Sequence, residues 1–324
     1  MPAIFFEGEE LDCRPGESVL DALNRHGKEI PSGCRAGVCQ ACVLLTDEQQ
    51  VAARHQQGLS AAQRDLNYFL SCQCQPTSAI HVRRPDSGAN RVHGKLVNRE
   101  WLSDQVVRLQ LDADMDYRPG QYITLWKDSS TARSYSLASH QTQDKWLELH
   151  VKHIPGGAIS PWLCNDLKCG DELTLQGPMG SCVYSHTQDR PLLLAAIGTG
   201  LAPVLGVLKD ALVNGHHGPI YLLVGAARHS GFYYQGALLR LVEEFPQVEL
   251  QFLVQTWEGK ACPGLIEADI YQYCRERFSD LSGYGVYLCG APTFVQKMRK
   301  QAFMAGAAMS DIATDAFLAF GETS

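Results

Sequence analysis

Four cysteines, Cys34, Cys39, Cys42 and Cys72, combine a residue type and a spacing that could hold a metal centre. The first three stand in C-R-A-G-V-C-Q-A-C, a C-x4-C-x2-C run, and the fourth follows in L-S-C-Q. Thiolates are soft ligands, and four of them can wrap a [2Fe–2S] cluster or close a tetrahedral zinc site. Cysteine zinc sites usually pair two C-x2–4-C knuckles. Here the distal partner is Cys72-Gln73-Cys74, which is no such knuckle, so the spacing favours the cluster and leaves structural zinc as the alternative. Gly33, Gly37, Ala36 and Ala41 give the loop the small, permissive residues needed to aim backbone N–H groups at sulfide. Cys13 and Cys74 fall outside the ligand pattern and read as small buried hydrophobes.

Three further strings could bind nucleotides. R-S-Y-S, residues 133–136, follows the strand-like P-G-Q-Y-I-T-L-W, and G-G-A-I-S, residues 156–160, opens a helix-like segment. Glycines at a helix start let backbone N–H groups approach a phosphate. G-T-G-L-A-P, residues 198–203, also lies between an apolar strand and a helix. Pro203 replaces the third glycine of the usual dinucleotide fingerprint, a residue that costs no needed hydrogen bond in a first helical turn. C-G-A-P, residues 289–292, ends the strand-like V-Y-L.

The elements around these strings follow from periodicity and breakers. With 324 residues, 45% of them hydrophobic, the chain can build two or three domain cores. Residues 3–13 read as two short strands around Gly8, Ser18 to His26 as a helix, and V-L-L-T as a strand. Residues 59–70 read as one short helix leading to Cys72, and A-I-H-V-R as a closing strand. The polar, breaker-rich residues 85–90 read as a linker. Residues 91–188 show β-rich segments with turns between them, which predicts an antiparallel β-barrel. From residue 189 onward apolar strands alternate with helical stretches, which predicts a doubly wound parallel sheet. The predicted domains are therefore residues 1–86, 91–188 and 189–324.

Charge and composition exclude several roles. The net charge is −7 with no basic run, which argues against a nucleic-acid partner. Residues 1–86 carry 8 Lys and Arg against 11 Asp and Glu, an acidic face that could meet a basic partner. Residues 191–208 are apolar, but Gly198, Gly200, Pro203 and Gly206 interrupt them, which predicts a buried strand, a turn and a helix in place of a membrane span. Met1-Pro2-Ala3 leads straight into a strand with no signal peptide, so the twelve cysteines fit a reducing cytoplasm. The histidines show no metal-ligand spacing: His216-His217 reads as a solvated loop, and His150 and His153 as split across the two faces of a strand.

Residues 1–86 resemble the plant-type ferredoxins, whose cluster spacing the cysteines match, although Gln40 stands where that family usually has Gly or Ser. The resemblance implies a β-grasp ferredoxin domain. Residues 91–324 resemble the ferredoxin–NADP⁺ reductase superfamily, whose R-x-Y-S motif matches Arg133, Tyr135 and Ser136, with Ser134 between them. The resemblance implies that Arg133 pairs with the FAD pyrophosphate, Tyr135 lies against the isoalloxazine ring, and Ser136 donates near flavin N5. It also implies that Gly156, Gly157 and Ser160 hold the pyrophosphate from the other side and that Val151-Lys152 forms the strand beside the flavin.

In the same family G-x-G-x-A-P meets the nicotinamide dinucleotide, which points to Gly198, Thr199, Gly200 and Pro203. Cys289 and Gly290 would lie near the nicotinamide ring, Cys289 as a site residue and not as a nucleophile. The tail D-A-F-L-A-F resembles one that covers the flavin, with Phe317 fitting that position and Phe320 the runner-up.

Arg228 and Ser230 end the second parallel strand and suit a 2′-phosphate. NADH-using relatives often carry an Asp where this chain has Phe232, while reductases of this domain order mostly use NADH, towards which the reading leans. The whole chain resembles single-chain reductases of bacterial multicomponent oxygenases. The implied function is to pass hydride from NAD(P)H to FAD, then single electrons through a [2Fe–2S] cluster to an oxygenase or ferredoxin partner, in a monomer that docks briefly. The rivals are a flavin or ferric reductase with a structural four-cysteine metal site, and a cluster-bearing redox sensor without nucleotide turnover.

Overall fold

The computed structural model describes residues 2–30, 42–47, 52–57, 59, 61–85, 91–128, 131–185, 187–257 and 264–317. The chain separates into two compact units, Met1–Ala89 and Asn90–Ser324. Most of the 85–90 stretch, and with it the predicted linker, lies outside the described residues.

In the first unit, β1 (Ala3–Phe6) and β2 (Glu9–Asp12) form a hairpin whose turn residues Glu7 and Gly8 both take positive φ, as a tight two-residue turn demands. Helix α1 (Val19–Arg25) starts at Ser18, whose hydroxyl caps the Asp21 N–H at 3.1 Å. It buries Val19, Leu20 and Leu23 on the sheet. There follow β3 (Val43–Thr46), α2 (Ala61–Asp65), β4 (Tyr68–Leu70) and β5 (Ile80–Arg83). The sheet order is β2-β1-β5-β3-β4, with β1 and β5 parallel and the other pairs antiparallel, a β-grasp arrangement under one helix.

One expectation fails here. Residues 59–70 are not a single helix: α2 stops at Asp65, Asn67 turns the chain with φ of 59°, and Tyr68-Phe69-Leu70 pairs with β3 as a strand. All three of those side chains are buried, and aromatic and branched residues on a buried sheet outweigh the helical pattern before them.

The second unit begins with the strands β6 (Arg91–Trp101), β7 (Val106–Ala113), β8 (Tyr122–Trp126), β9 (Ala132–Ser136), β10 (Leu147–Lys152) and β11 (Glu172–Met179). They make one antiparallel sheet in the order β10-β7-β6-β11-β8-β9. Its two ends meet through the Leu137–Leu149 bridge, which closes the barrel. Inward-facing Leu109, Leu111, Ile123, Leu125, Leu149 and Leu175 fill it.

The remaining elements are β12 (Leu192–Ile197), α3 (Leu201–Val213), β13 (Ile220–Arg228), α4 (Gln235–Glu244), β14 (Val248–Thr256), β15 (Leu265–Glu267), α5 (Ile270–Arg277), β16 (Gly285–Gly290), α6 (Pro292–Met304) and β17 (Ile312–Ala316). The sheet order is β15-β14-β13-β12-β16-β17, and every pairing is parallel. The connections run outward in opposite directions from β12, which places a topological switch point between β12 and β16. Open α/β sheets bind ligands at the carboxyl ends of strands at such a point.

Helix α3 locks this sheet onto the barrel. A Cβ on Gly206 would lie 2.6 Å from both Gly120 N and Leu137 O, so the helix backbone rests directly on barrel backbone. The apolar stretch 191–208 is thus strand, turn and helix start, and no helix among the described residues is long and apolar enough to cross a membrane. His216, expected in solvent, is buried, with Nδ1 3.0 Å from the Tyr184 hydroxyl. Its neighbour His217 is exposed.

Candidate functional site

A cavity of about 1380 Å³ opens between the barrel and the carboxyl ends of the parallel strands. Single-ligand sites usually enclose about 300–1,000 Å³, so this one has room for two bound groups side by side. The R-S-Y-S strand lines it along its whole length, from Arg133 to Ser136. Burial pushes the Tyr135 hydroxyl up, so it stays a neutral phenol. Ser134 and Thr124 share a 2.9 Å hydroxyl contact across β9 and β8.

Ser136 makes the contact that ties the cavity together. It is buried at the end of β9, and its hydroxyl donates to Asp315 Oδ2 at 2.6 Å. Asp315 sits on β17, at the far end of the chain. Burial raises its carboxyl to about 6, with the Ser136 hydrogen bond pulling the other way. Two residues later, Phe317 N–H donates to Gly290 O at 2.9 Å, which places Phe317 in the cavity wall. Phe320 and the end of the tail lie outside the described residues.

Gly156 and Gly157 shape another wall. Gly157 N–H donates to Ile154 O at 2.9 Å, and Ile154 N–H donates to Ser160 Oγ at 3.0 Å. Gly157 N–H and the Ser160 hydroxyl therefore close the turn itself, holding the backbone of 156–160 against the cavity. The helix that follows is one turn of π-helix, Trp162–Asp166. On β10 the strand alternation decides which residues face the site. His150 and Lys152 line the cavity, whereas Val151 is buried in the barrel core.

At the switch point, Gly198 and Thr199 form a 3₁₀ turn after β12, and both line the cavity with Gly290 of β16. A Cβ on Gly198 would meet nothing within 4 Å, so the missing side chain leaves room for a ligand. Gly200 serves differently: a Cβ there would lie 2.2 Å from Cys289 O, so the turn can cross β16 only with glycine. Pro203 is buried in the first turn of α3. Cys289 is fully buried, its sulfur 3.6 Å from that of Cys182, and it stands behind the cavity wall. Arg228 and Ser230 line the cavity at the end of β13.

In the first unit, Cys42 and Cys72 lie side by side, their thiols in hydrogen-bond contact, and burial raises the Cys42 thiol. The Ser71 hydroxyl and N–H both donate to Cys42 O, at 2.7 and 3.1 Å, which fixes the two ligand-bearing segments to each other just outside β3 and β4. Cys34 and Cys39, with Gln40, lie outside the described residues, and no group of three metal-binding side chains is assembled among those described. Two adjacent thiols, Cys42 buried and Cys72 partly so, fit half of a soft four-sulfur site. The glycine-walled cavity, with an open position beside Gly198, fits a flavin and a dinucleotide.

Three polar residues in or beside the site belong to no signature motif. Asp315 was visible only as the acid before the apolar tail. Glu148 and His150 alternate with Leu147, Leu149 and Val151 on β10, a strand buried on both faces over that span. Two polar residues on the second buried face were the available signal.

Taken together, the barrel, the switch-point sheet and their shared cavity define a flavin- and nicotinamide-binding oxidoreductase joined to an iron–sulfur domain. Family comparison agrees with each part. Residues 4–77 match the 2Fe-2S iron-sulfur cluster binding domain, 93–184 the oxidoreductase FAD-binding domain, and 194–300 the oxidoreductase NAD-binding domain. These matches favour the iron–sulfur cluster over zinc for the cysteine quartet, and they speak against a sensor without nucleotide binding.

The chain is 30% identical over 316 residues to terephthalate 1,2-dioxygenase, reductase component 2, of Comamonas sp., covering 94% of this chain and 93% of that one. It is 30% identical over 310 residues to the aromatic O-demethylase reductase subunit of Amycolatopsis sp., covering 91% and 92%. The crystal structure of an Amycolatopsis cytochrome P450 reductase superposes with a TM-score of 0.68 at 26% identity, over 98% of this chain and 99% of that one. The chain belongs to the family of reductases that join a 2Fe-2S domain to FAD- and NAD-binding domains, of which these reductase components are members. It is an NAD(P)H-dependent oxidoreductase with FAD and a [2Fe–2S] cluster as its cofactors.

Proposed function

We propose that this chain draws hydride from NAD(P)H and delivers single electrons to a separate terminal oxygenase component or ferredoxin, with an aromatic compound as the oxygenase's substrate. The Ser136–Asp315 contact carries the reading, because it joins the flavin-type strand to the last strand of the nucleotide sheet inside one cavity. Flavin accepts two electrons as hydride and releases them singly, which is what an iron centre requires.

The chain's own residues position and exclude. Arg133 offers a guanidinium to a pyrophosphate, a pairing suited to its planar fork. Tyr135 and Phe317 both line the cavity; Tyr135 would lie against a bound isoalloxazine ring, and Phe317 would cover it until nicotinamide takes its place. Gly198, Thr199 and Gly290 let a dinucleotide backbone approach the carboxyl ends of β12 and β16.

Ser136 Oγ would supply the donor to the hydride-accepting nitrogen of a bound flavin, and Asp315 controls that hydroxyl. An ionised Asp315 holds the Ser136 proton at Oδ2. A protonated Asp315 can donate to Ser136 Oγ, which frees the serine proton to point into the cavity. Cys289 acts through the wall it forms behind the nicotinamide site. Cys34, Cys39, Cys42 and Cys72 hold the cluster.

Reductase components of dioxygenase systems and an O-demethylase reductase subunit are full-length relatives, which supports an oxygenase partner for this chain. The described cysteines form no disulfide, which suits a reducing cytoplasm. A monomer suits brief docking through a small interface. NADH is the favoured donor, on domain order. The direct test is to mix purified protein anaerobically with NADH or NADPH and follow the flavin absorbance. Bleaching supports the reading, and a spectrum unchanged by both nucleotides refutes it.

A further inference from the structure

A buried polar cluster beside the cavity takes no part in the chemistry above. Glu148 and His150 of β10 face out of the barrel, and both are buried. His150 Nε2 lies 3.0 Å from Glu148 Oε1, and its Nδ1 lies 3.1 Å from the Tyr233 hydroxyl. The Tyr234 hydroxyl donates to the same Glu148 oxygen at 3.4 Å. The rings of Tyr233 and Tyr234 flank the imidazole, with centroids 5.3 and 5.2 Å away. Arg108 Nη1 stands 3.9 Å from the other Glu148 oxygen.

The partners come from different domains. Glu148, His150 and Arg108 belong to the barrel, whereas Tyr233 and Tyr234 end the segment that follows β13. That segment begins with Arg228 and includes Ser230, both of which line the cavity where the far end of a dinucleotide would lie. It ends at Tyr234, whose positive φ of 65° starts helix α4. A non-glycine residue holds that conformation only where its surroundings impose it. Burial keeps the His150 imidazole neutral. The geometry then assigns the tautomer: Nε2–H donates to the Glu148 carboxylate, and Nδ1 accepts from the Tyr233 hydroxyl.

We infer that Glu148, His150 and Tyr233 form a clasp between the domains that holds the 228–234 segment in place for the nucleotide, so that nucleotide affinity depends on a barrel histidine. These are positioning residues. A binding segment ordered in advance loses less freedom when its ligand arrives, and the gain is seen in affinity and not in the chemical step. The inference rests on the cavity binding NAD(P)H as proposed above.

The test uses the full-length protein loaded with FAD, and three variants: Tyr233→Phe, which keeps the ring and loses only the hydroxyl, His150→Leu, and the double. NAD⁺ and NADP⁺ binding is measured by titration calorimetry, and NAD(P)H turnover with ferricyanide gives KM and kcat. For Tyr233→Phe the inference predicts binding weaker by about three- to tenfold, the worth of one buried hydrogen bond. KM should rise by a similar factor with kcat within about twofold. The double variant should bind no more weakly than the worse single one, because both remove the same clasp. Unchanged affinity in Tyr233→Phe, additive losses in the double, or a fall in kcat without a change in KM would overturn it. If the wild-type protein binds neither nucleotide, the functional reading itself fails, which is a separate outcome from wild-type binding that the variants leave untouched.

Discussion

Ser136 and Asp315, 179 residues apart, share a 2.6 Å hydrogen bond that joins barrel strand β9 to the final strand of the parallel sheet. The carboxyl is partly buried, and that loss of solvent raises it to about 6. Its charge state therefore changes within the pH range in which such a reductase can be assayed, and the direction of the Ser136 proton changes with it.

The first prediction concerns rate. Below about pH 6 Asp315 is protonated and Ser136 can donate into the cavity, and above it the carboxylate captures the serine proton. The rate of flavin reduction by NAD(P)H should fall by about tenfold as pH rises through 6, the worth of one reoriented hydrogen bond. Asp315→Asn keeps a donor towards Ser136 Oγ at every pH, so its profile should be flat. Stopped-flow absorbance across pH 5 to 8 reads both, and an equally steep profile in the variant would refute the role.

The second prediction concerns stability and the same carboxyl. Its folded value, about 6, lies above the ordinary 3.8, so the folded chain binds the proton more tightly than the unfolded chain. This group's contribution is fully present below about pH 4 and is lost as pH rises through 6, a change of about 3 kcal/mol. Urea unfolding at pH 4.5 and 7.5 should show Asp315→Asn gaining on the wild type at the higher pH. No relative gain would contradict the burial argument.

The third prediction concerns the turn at the switch point. Gly200→Ala places a Cβ 2.2 Å from the Cys289 carbonyl, where backbone must move to admit it. We expect a loss of about 1–3 kcal/mol or more in unfolding measurements, with weakened NAD(P)H response. Gly198→Ala, whose Cβ meets nothing within 4 Å, should leave stability closer to wild type despite the strain of its positive φ, and should weaken nucleotide binding.

The fourth prediction separates the two units. Cys42→Ser should abolish iron and acid-labile sulfide while FAD content and ferricyanide reduction by NAD(P)H persist. Ser71→Ala, which removes the hydroxyl bond to Cys42 O, should retain the cluster but lose it faster to a chelator. Loss of flavin from Cys42→Ser would refute the independence of the sites.

Much of this architecture was legible in advance because its signals are local. Glycine turns after apolar strands, a cysteine spacing and alternation in β-rich segments announce a cluster loop, a barrel and a parallel sheet. What was hidden depends on contacts between segments distant in sequence. The strand Tyr68–Leu70 was masked by the helical residues before it, because only pairing with β3 makes it a strand. His216 looked like loop polarity, yet the Tyr184 hydroxyl draws it inside. Val151 read as a flavin neighbour, but the pleat turns it into the barrel core and leaves His150 and Lys152 facing the cavity. Asp315 and Glu148 belong to no motif, and their importance arises only when the chain brings Ser136 to one and Tyr233 and Tyr234 near the other.

The central claim is that hydride taken from NAD(P)H leaves as single electrons through the iron of a cluster held by the four cysteines. The most direct measurement is low-temperature electron paramagnetic resonance of the anaerobic protein, frozen after addition of NADH or NADPH alone. We expect a rhombic signal of a reduced [2Fe–2S] cluster, absent before the nucleotide is added and missing in Cys42→Ser. A flavin that bleaches while the spectrum stays silent, in protein shown to contain iron and labile sulfide, would contradict it.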